Sequence, residues 1–216
     1  MDYVLIRHRI EAITSKINEL GGEVQEVLIG EPASLNQLLK TEEELGVKLP
    51  ESFKKVLKEF SGNFSLRWFL PDNMVQPNEF SEIFSGCPHW SLEFLPQFEE
   101  DRKGWIENVF PNPEDEYDFV WHNKLAFCDV GNGDYLAFDM SNTEDAPVVY
   151  LSHDDGLGHG IKIANNFSEF IENWSRIAFV GCEDWQWLPF ITSRDSGIAP
   201  DGDVAKQFRN WLGLAI

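Results

Sequence analysis

The fold is decided by residues 125–174, which read LAFCDVGNGDYLAFDMSNTEDAPVVYLSHDDGLGHGIKIANNFSEFIENW. Two strand-like runs, residues 125–130 and 135–140, flank a short glycine-rich segment. Small or apolar residues alternate with larger ones in each run, and Gly-Asn-Gly allows the positive φ angles of a tight turn. We therefore predict an antiparallel hairpin. Its structural turn comprises Gly131, Asn132, Gly133 and Asp134.

A third strand is predicted over residues 148–152, followed by a helix that Asn165 or Asn166 caps. Before the hairpin, isoleucines recur at helical spacing over residues 6–17 and predict an amphipathic helix. Ser34 is a good N-cap for a second helix, which Gly46 should end. Pro50 favours the start of a third helix, and strands are predicted over residues 24–29 and 64–70.

The remaining segments are less regular. Residues 76–113 show no clean period and are interpreted as mixed helix and loop. Residues 117–127 have strand character, and Trp185 and Trp187 stand at strand spacing. A last helix is predicted over residues 204–212, where apolar residues recur on one side.

Composition narrows the class of protein. The chain has 216 residues and a formal net charge of −20, with 17 Lys and Arg against 37 Asp and Glu. Such a field repels nucleic acid and anionic membranes, and it attracts basic partners. We expect neither a nucleic-acid partner nor a membrane partner. The simpler alternative is that the acidity only maintains solubility.

The cysteines and the N-terminus bear on the compartment. Cys87, Cys128 and Cys182 are odd in number and lack CxxC spacing, so they resemble small buried hydrophobes more than a disulfide frame or a zinc site. The first residues are interrupted by charges and do not form a signal peptide. No apolar run approaches the ~18 residues of a membrane span. We expect a soluble, cytoplasmic protein.

Three motifs in order carry a family resemblance. They are LGVKLPESFKKVLKEFSGN after a helix, CDVGNGDYLAFDM with PVVYLSHDDG, and NNFSEFIENW. Together they resemble the SUKH superfamily of the Smi/Knr type. The resemblance covers about residues 32–174, and residues 1–30 and 179–216 would extend that core within a single globular domain, the first of them as a helical extension. These are scaffold motifs, so they support the fold more strongly than the function.

The resemblance implies an α+β fold, a mostly antiparallel sheet with helices packed against it. In bacteria it implies an immunity protein that silences a polymorphic toxin, often a nuclease or deaminase. In fungi it implies a regulator of cell-wall synthesis that acts through protein interactions. Neither role needs catalysis. We predict no catalytic residue, no cofactor and no metal, and the sequence leaves the oligomeric state open.

Two groups of residues suggest chemistry. His153, Asp154 and Asp155 with His159 could ligate a divalent metal, but the spacing matches neither HExxH nor an EF-hand loop, and the glycines in this segment indicate a solvated loop. Asp129, Asp134 and Asp139 flank the hairpin and could suggest paired-carboxylate catalysis. Turn formation explains Asp134 more simply.

Acidic residues beside aromatic ones suggest a partner-binding surface. The segment from Glu114 to Asp118 places four carboxylates around one tyrosine, and charge runs of this kind are usually solvated loops. As a surface it could imitate a phosphate backbone with stacked bases. The predicted partner-binding residues are Glu114, Asp115, Glu116, Asp118, Trp121, Asp154 and Asp155, with residues 99–101 as a weaker candidate.

The sequence thus favours a non-catalytic immunity protein for a basic toxin domain. The first alternative is a regulatory interaction module with a cellular partner and no toxin. A second, from another class, is a metal-dependent hydrolase that uses the His153 loop.

Overall fold

The computed structural model describes residues 1–141 and 145–216. Within these residues, a first antiparallel sheet has four strands, in which β2 is central. β1 pairs with one edge of β2, and β3 and β4 pair with opposite ends of the other edge. The strands are β1 (Glu23–Ile29), β2 (Asn63–Phe69), β3 (Ser85–Gly86) and β4 (His89–Ser91).

A second antiparallel sheet of the described residues contains the predicted hairpin. Its strands follow chain order, and β5 pairs with β6 so that Leu125 faces Phe138 and Asp129 faces Tyr135. The register shifts between Ala126 and Cys128, which marks a bulge in β5. The strands are β5 (Lys124–Asp129), β6 (Tyr135–Asp139), β7 (Val148–Leu151) and β8 (Lys162–Ala164).

Short-range signals mark both ends of the second helix and the start of the sixth. Ser34 caps α2 in a capping box with Gln37, and Gly46 ends it with a left-handed φ of 71°. Asn166 caps α6 by accepting a hydrogen bond from the Glu169 amide. The helices are α1 (Tyr3–Glu19), α2 (Leu35–Leu45), α3 (Glu51–Glu59), α4 (Leu95–Asn108), α5 (Glu116–Trp121), α6 (Phe167–Ser175), α7 (Asp184–Trp187) and α8 (Asp203–Leu212).

The second sheet is covered on both faces. Alternate side chains of its strands, such as Phe127 and Phe138, point into the main core, where their rings lie 4.6 Å apart and contact α3 and α6. The other side chains face a smaller core under α4 and α5. Full burial of such a side chain contributes roughly 1.5–3 kcal/mol. The smaller core comprises Phe110, Trp121, Ala126, Tyr135, Ala137, Val149 and Leu151.

Two predicted strands are wrong. Residues 116–121 form α5, and only residues 124–129 form a strand. Trp121 faces the smaller core and Tyr117 packs against it, so burial and an N-terminal cap override the strand propensity of aromatic residues. Trp185 and Trp187 lie in α7, where one is 42% exposed and the other fully buried, whereas a strand would place both on one face.

The segments flanking the central motifs join the same main core. Isoleucines of α1 and Phe208 of α8 are buried in it, and Phe208 packs edge-on against Phe80 at 5.3 Å. The Arg9 guanidinium of α1 pairs with Glu172 of α6 at 2.8 Å. The N-terminal segment contains β1 as well as the expected helix. With helices packed on two antiparallel sheets, the predicted α+β fold is confirmed.

None of the helices in the described part of the chain is both long and apolar enough to cross a membrane.

Candidate protein-interaction site

The site begins with α5, whose first turn is held by aspartates. The Asp115 carboxylate accepts hydrogen bonds from the Tyr117 and Asp118 amides at 2.9 and 3.1 Å. Asp118 in turn accepts from the Asn112 amide at 3.0 Å and fixes the preceding loop. Carboxylates are favourable here because the amino end of a helix carries partial positive charge. Two of the predicted binding carboxylates therefore also hold the local backbone.

α5 meets the loop that follows β7. The Tyr117 hydroxyl donates to the Ser152 carbonyl at 2.8 Å and accepts from the Asp155 amide at 2.9 Å. The Trp121 indole N–H donates to the same Ser152 carbonyl at 3.1 Å. These bonds place residues 114–118 and the Asp154–Asp155 pair, which are far apart in sequence, on one surface.

His159 is a structural residue of this loop. Its Nδ1 accepts from the Ser152 amide and its Nε2–H donates to the Tyr117 carbonyl, both at 3.0 Å. Its ring stacks on Tyr117 with centroids 3.8 Å apart. Burial lowers the pKa of His159 and favours the neutral imidazole. With both ring nitrogens engaged, His159 has no free nitrogen for a metal or a proton transfer.

Asp134 ties the hairpin turn to the same loop. Its carboxylate is buried and accepts from the Tyr150 hydroxyl at 2.6 Å, from the His153 amide at 2.8 Å and from the Asn132 side chain at 3.1 Å. The Nδ1 atom of His153 lies 2.7 Å from an Asp134 oxygen. Burial raises the pKa of Tyr150, and the hydrogen bond to Asp134 adds to that shift. The arrangement stabilises a turn and leaves the carboxylate fully engaged.

The candidate metal ligands His153, Asp154, Asp155 and His159 do not come together as one set. Ligand atoms of Asp134, His153 and Asp154 lie within 4.8 Å of one another, and within residues 1–141 and 145–216 they form the one group of that kind. His159 and Asp155 do not belong to it. Because Asp134 already accepts several hydrogen bonds, including one from the His153 amide, a cation would have to displace them.

A groove of about 650 Å³ runs between α5 and the loop after β7. Leu157 is 79% exposed beside it, and Val120 of α5 lines its wall. Glu116 and Asp155 provide exposed carboxylates at its edge. We call this surface the acidic groove; its lining residues are Glu116, Tyr117, Val120, Asp155, Gly156, Leu157, His159 and Arg194.

Of the seven predicted binding residues, Glu116 and Asp155 line the acidic groove, and Glu114, Asp115 and Asp154 adjoin these two in sequence. Glu114, Asp115, Glu116, Asp154 and Asp155 are exposed, and Asp118 is half-buried. One position must be corrected. Trp121 is fully buried in the smaller core, so its ring cannot be a surface anchor.

The weaker acidic candidate at residues 99–101 also needs a correction. Glu99 is buried and forms an ion pair with Arg102 at 2.7 Å, so it stabilises α4 rather than a binding surface. Glu100 and Asp101 are exposed.

Sequence reasoning missed Leu157, Val120 and Arg194. The signal for Leu157 was present, because a single large apolar residue stands between Gly156 and Gly158 in an otherwise polar loop. Arg194 lies in a distant Ser- and Asp-rich segment, and its guanidinium donates to the His159 carbonyl. Only the folded chain brings it to the groove.

A model of a known protein family matches more than half of the chain. The model of the SMI1 / KNR4 family (SUKH-1) matches residues 32–173, which contain the whole second sheet, α5 and the loop after β7 that borders the acidic groove. No curated protein matches the chain.

Proposed function

Because the chain belongs to the SMI1 / KNR4 family (SUKH-1), we propose that it is an immunity protein that binds and neutralises a toxin domain. The partner would be a basic nuclease or deaminase domain, whose active site the acidic groove covers. The observation that carries this proposal is an exposed leucine set among carboxylates on one concave surface. The family, in addition, supports a role that needs no catalysis.

The mechanism would be steric and electrostatic. Leu157, held out by the loop, would enter an apolar depression of the partner as an anchor, since interface energy concentrates in a few buried contacts. Glu114, Glu116 and Asp155 would face basic side chains that otherwise hold a phosphate backbone. Complementary charge mainly raises the association rate and selects the partner.

A binding role also agrees with the polar chemistry of the site. His159 uses both ring nitrogens in hydrogen bonds, and Asp134 accepts from several donors. A catalytic acid or base must be within reach of a proton on the substrate. These two buried groups instead connect the hairpin, the loop and α5, which gives the acidic groove a fixed shape.

The experiment pairs the chain with a toxin domain encoded beside it and measures binding by surface plasmon resonance. The test variant combines Glu114→Lys and Glu116→Lys, which leaves the Asp115 cap and Asp118 in place. The matched control combines Glu11→Lys and Glu43→Lys, at exposed positions of α1 and α2 outside the groove. Both variants carry the same net charge, so a difference between them reports position.

We expect the groove variant to associate at least about tenfold more slowly than the control and to protect less against the toxin's activity. Equal rates for the two variants would exclude the acidic groove as the binding surface. Binding to a cellular protein with no toxin activity, and to no toxin, would instead support the regulatory interaction module.

A further inference from the structure

Three cysteines and a histidine, from three segments of the chain, meet beside β5. Cys128 in β5 lies with its Sγ 3.9 Å from the Sγ of Cys182, which follows α6. Both ring nitrogens of His89 in β4 lie 3.7 Å from the Cys128 Sγ. Cys87 completes the group, because its Sγ accepts a hydrogen bond from the Cys182 amide at 3.4 Å. Neither the acidic groove nor its proposed function uses these residues.

The environment makes the two buried thiols unequal. Burial alone would raise the pKa of Cys128, but the hydrogen bond from Cys182 and the charge of His89 lower it to about 5. The Cys128 charge raises the pKa of His89 to about 10, against desolvation. The hydrogen bond to Cys128 raises the pKa of Cys182 well above its usual range. The directions of these pKa shifts favour a thiolate on Cys128 beside a protonated His89, and a protonated thiol on Cys182.

We propose that Cys128 and Cys182 are a redox-active dithiol that a peroxide converts to a disulfide. The Cys128 thiolate attacks one peroxide oxygen, the O–O bond breaks, and hydroxide leaves, so that Cys128 becomes a sulfenic acid. The Cys182 sulfur then attacks the Cys128 sulfur. The S–O bond breaks, and the departing hydroxyl takes the Cys182 proton to form water. Two electrons pass from the sulfurs to the peroxide.

Geometry favours this pair. The two sulfurs are in van der Waals contact, and side-chain rotation must shorten their 3.9 Å separation to the roughly 2.05 Å of a disulfide. Both cysteines are buried, whereas Cys87 and His89 beside them are only half-buried, so peroxide would have to reach Cys128 from the side of these two residues. The bond would tether the segment between α6 and α7 to the hairpin.

The test treats the purified full-length chain with a small excess of hydrogen peroxide and maps disulfides by mass spectrometry of peptides. We expect a Cys128–Cys182 bond in the wild-type chain and in Cys87→Ser, and none in Cys128→Ala or Cys182→Ala. His89→Gln should slow disulfide formation at neutral pH by roughly tenfold or more, since less thiolate is present.

Melting temperature provides a second readout that needs no variant. The bond spans 54 positions, and a loop of that size predicts a rise of roughly 5–15 °C on oxidation, reversed by dithiothreitol. A disulfide of Cys87 with either partner, or free thiols after peroxide treatment, would overturn the proposal. So would a stoichiometric zinc ion that survives dialysis and protects the thiols.

Discussion

Two glycines of the hairpin turn differ in what surrounds them. Gly131 and Gly133 have φ angles of +93° and +103°, a region that other residues enter only at a cost. A Cβ atom on Gly131 would meet nothing within 4 Å. On Gly133 it would lie 3.2 Å from the His153 ring and 3.3 Å from Trp105. Gly133 is therefore constrained both by its backbone and by its neighbours.

We predict that Gly131→Ala lowers the free energy of unfolding by about 1 kcal/mol relative to the wild-type chain. Gly133→Ala should have the larger effect, within a range of roughly 1–3 kcal/mol relative to the wild-type chain. The matched control is Gly104→Ala, because Gly104 lies inside α4 with open space around it. That substitution should stabilise the chain by roughly 0.5–1 kcal/mol. Urea unfolding midpoints measure all three. Equal midpoints for Gly133→Ala and Gly104→Ala would contradict the turn.

Residue-scale features were predictable from sequence where the signal is local. Gly-Asn-Gly predicts the hairpin turn, and Ser34 and Gly46 predict the start and the end of α2. Asp134 contacts Tyr150 and His153, which lie 16 and 19 positions later in the sequence, so no spacing rule predicts these buried contacts. Tertiary partners of this kind had to come from the folded chain.

At the scale of elements, length decided which predictions succeeded. The hairpin and α6 have both a periodic pattern and a capping or turn residue, and both were predicted from sequence. α5 and α7 contain only six and four residues, too few for a helical period to appear. Their aromatic residues then favour strand by propensity, and burial reverses the outcome. The acidic part of the groove was predictable, but its apolar part was not.

The loop after β7 allows a test of the apolar anchor. We predict that Leu157→Ala speeds dissociation from the toxin domain about tenfold, which corresponds to about 1.4 kcal/mol. Its association rate should barely change, because no charge is altered. The control is Val75→Ala, since Val75 is 89% exposed and lies outside the groove. Surface plasmon resonance gives both rates.

Circular dichroism of both alanine variants serves as the check on folding, and neither should differ from the wild-type chain. If Leu157→Ala and Val75→Ala dissociate at the same rate as wild type, the leucine is not an anchor. The acidic part of the groove could then still act through charge alone.

At the scale of the whole molecule, the net charge follows from the sequence alone, whereas the composition of the core depends on the fold. The net charge of −20 is a sum over the sequence and needs no structure. The main core, by contrast, draws Ile6 near one end and Leu214 near the other into contact with the family motifs. The cysteine cluster is likewise a product of the fold, because Cys87, Cys128 and Cys182 lack any motif spacing.

The dependence of association on salt distinguishes the electric field of the whole molecule from the field of the acidic groove. At about 0.01 M salt the screening length is ~30 Å and the net charge of −20 over the whole molecule acts on the partner, whereas at 0.1 M it is ~10 Å and near charges dominate. We predict that raising salt slows association with the toxin domain by 10-fold or more and changes dissociation only slightly. Stopped-flow mixing across a salt series measures the association rate.

The two charge variants show where that attraction originates. Each double variant changes the net charge from −20 to −16. The groove variant combines Glu114→Lys with Glu116→Lys, and the control combines Glu11→Lys with Glu43→Lys. If the groove steers the partner, the first pair should flatten the dependence on salt more than the second, most clearly near 0.1 M. If only total charge matters, the two curves should coincide. An association rate that ignores salt in both would remove electrostatic steering, because exposed charges cannot escape screening.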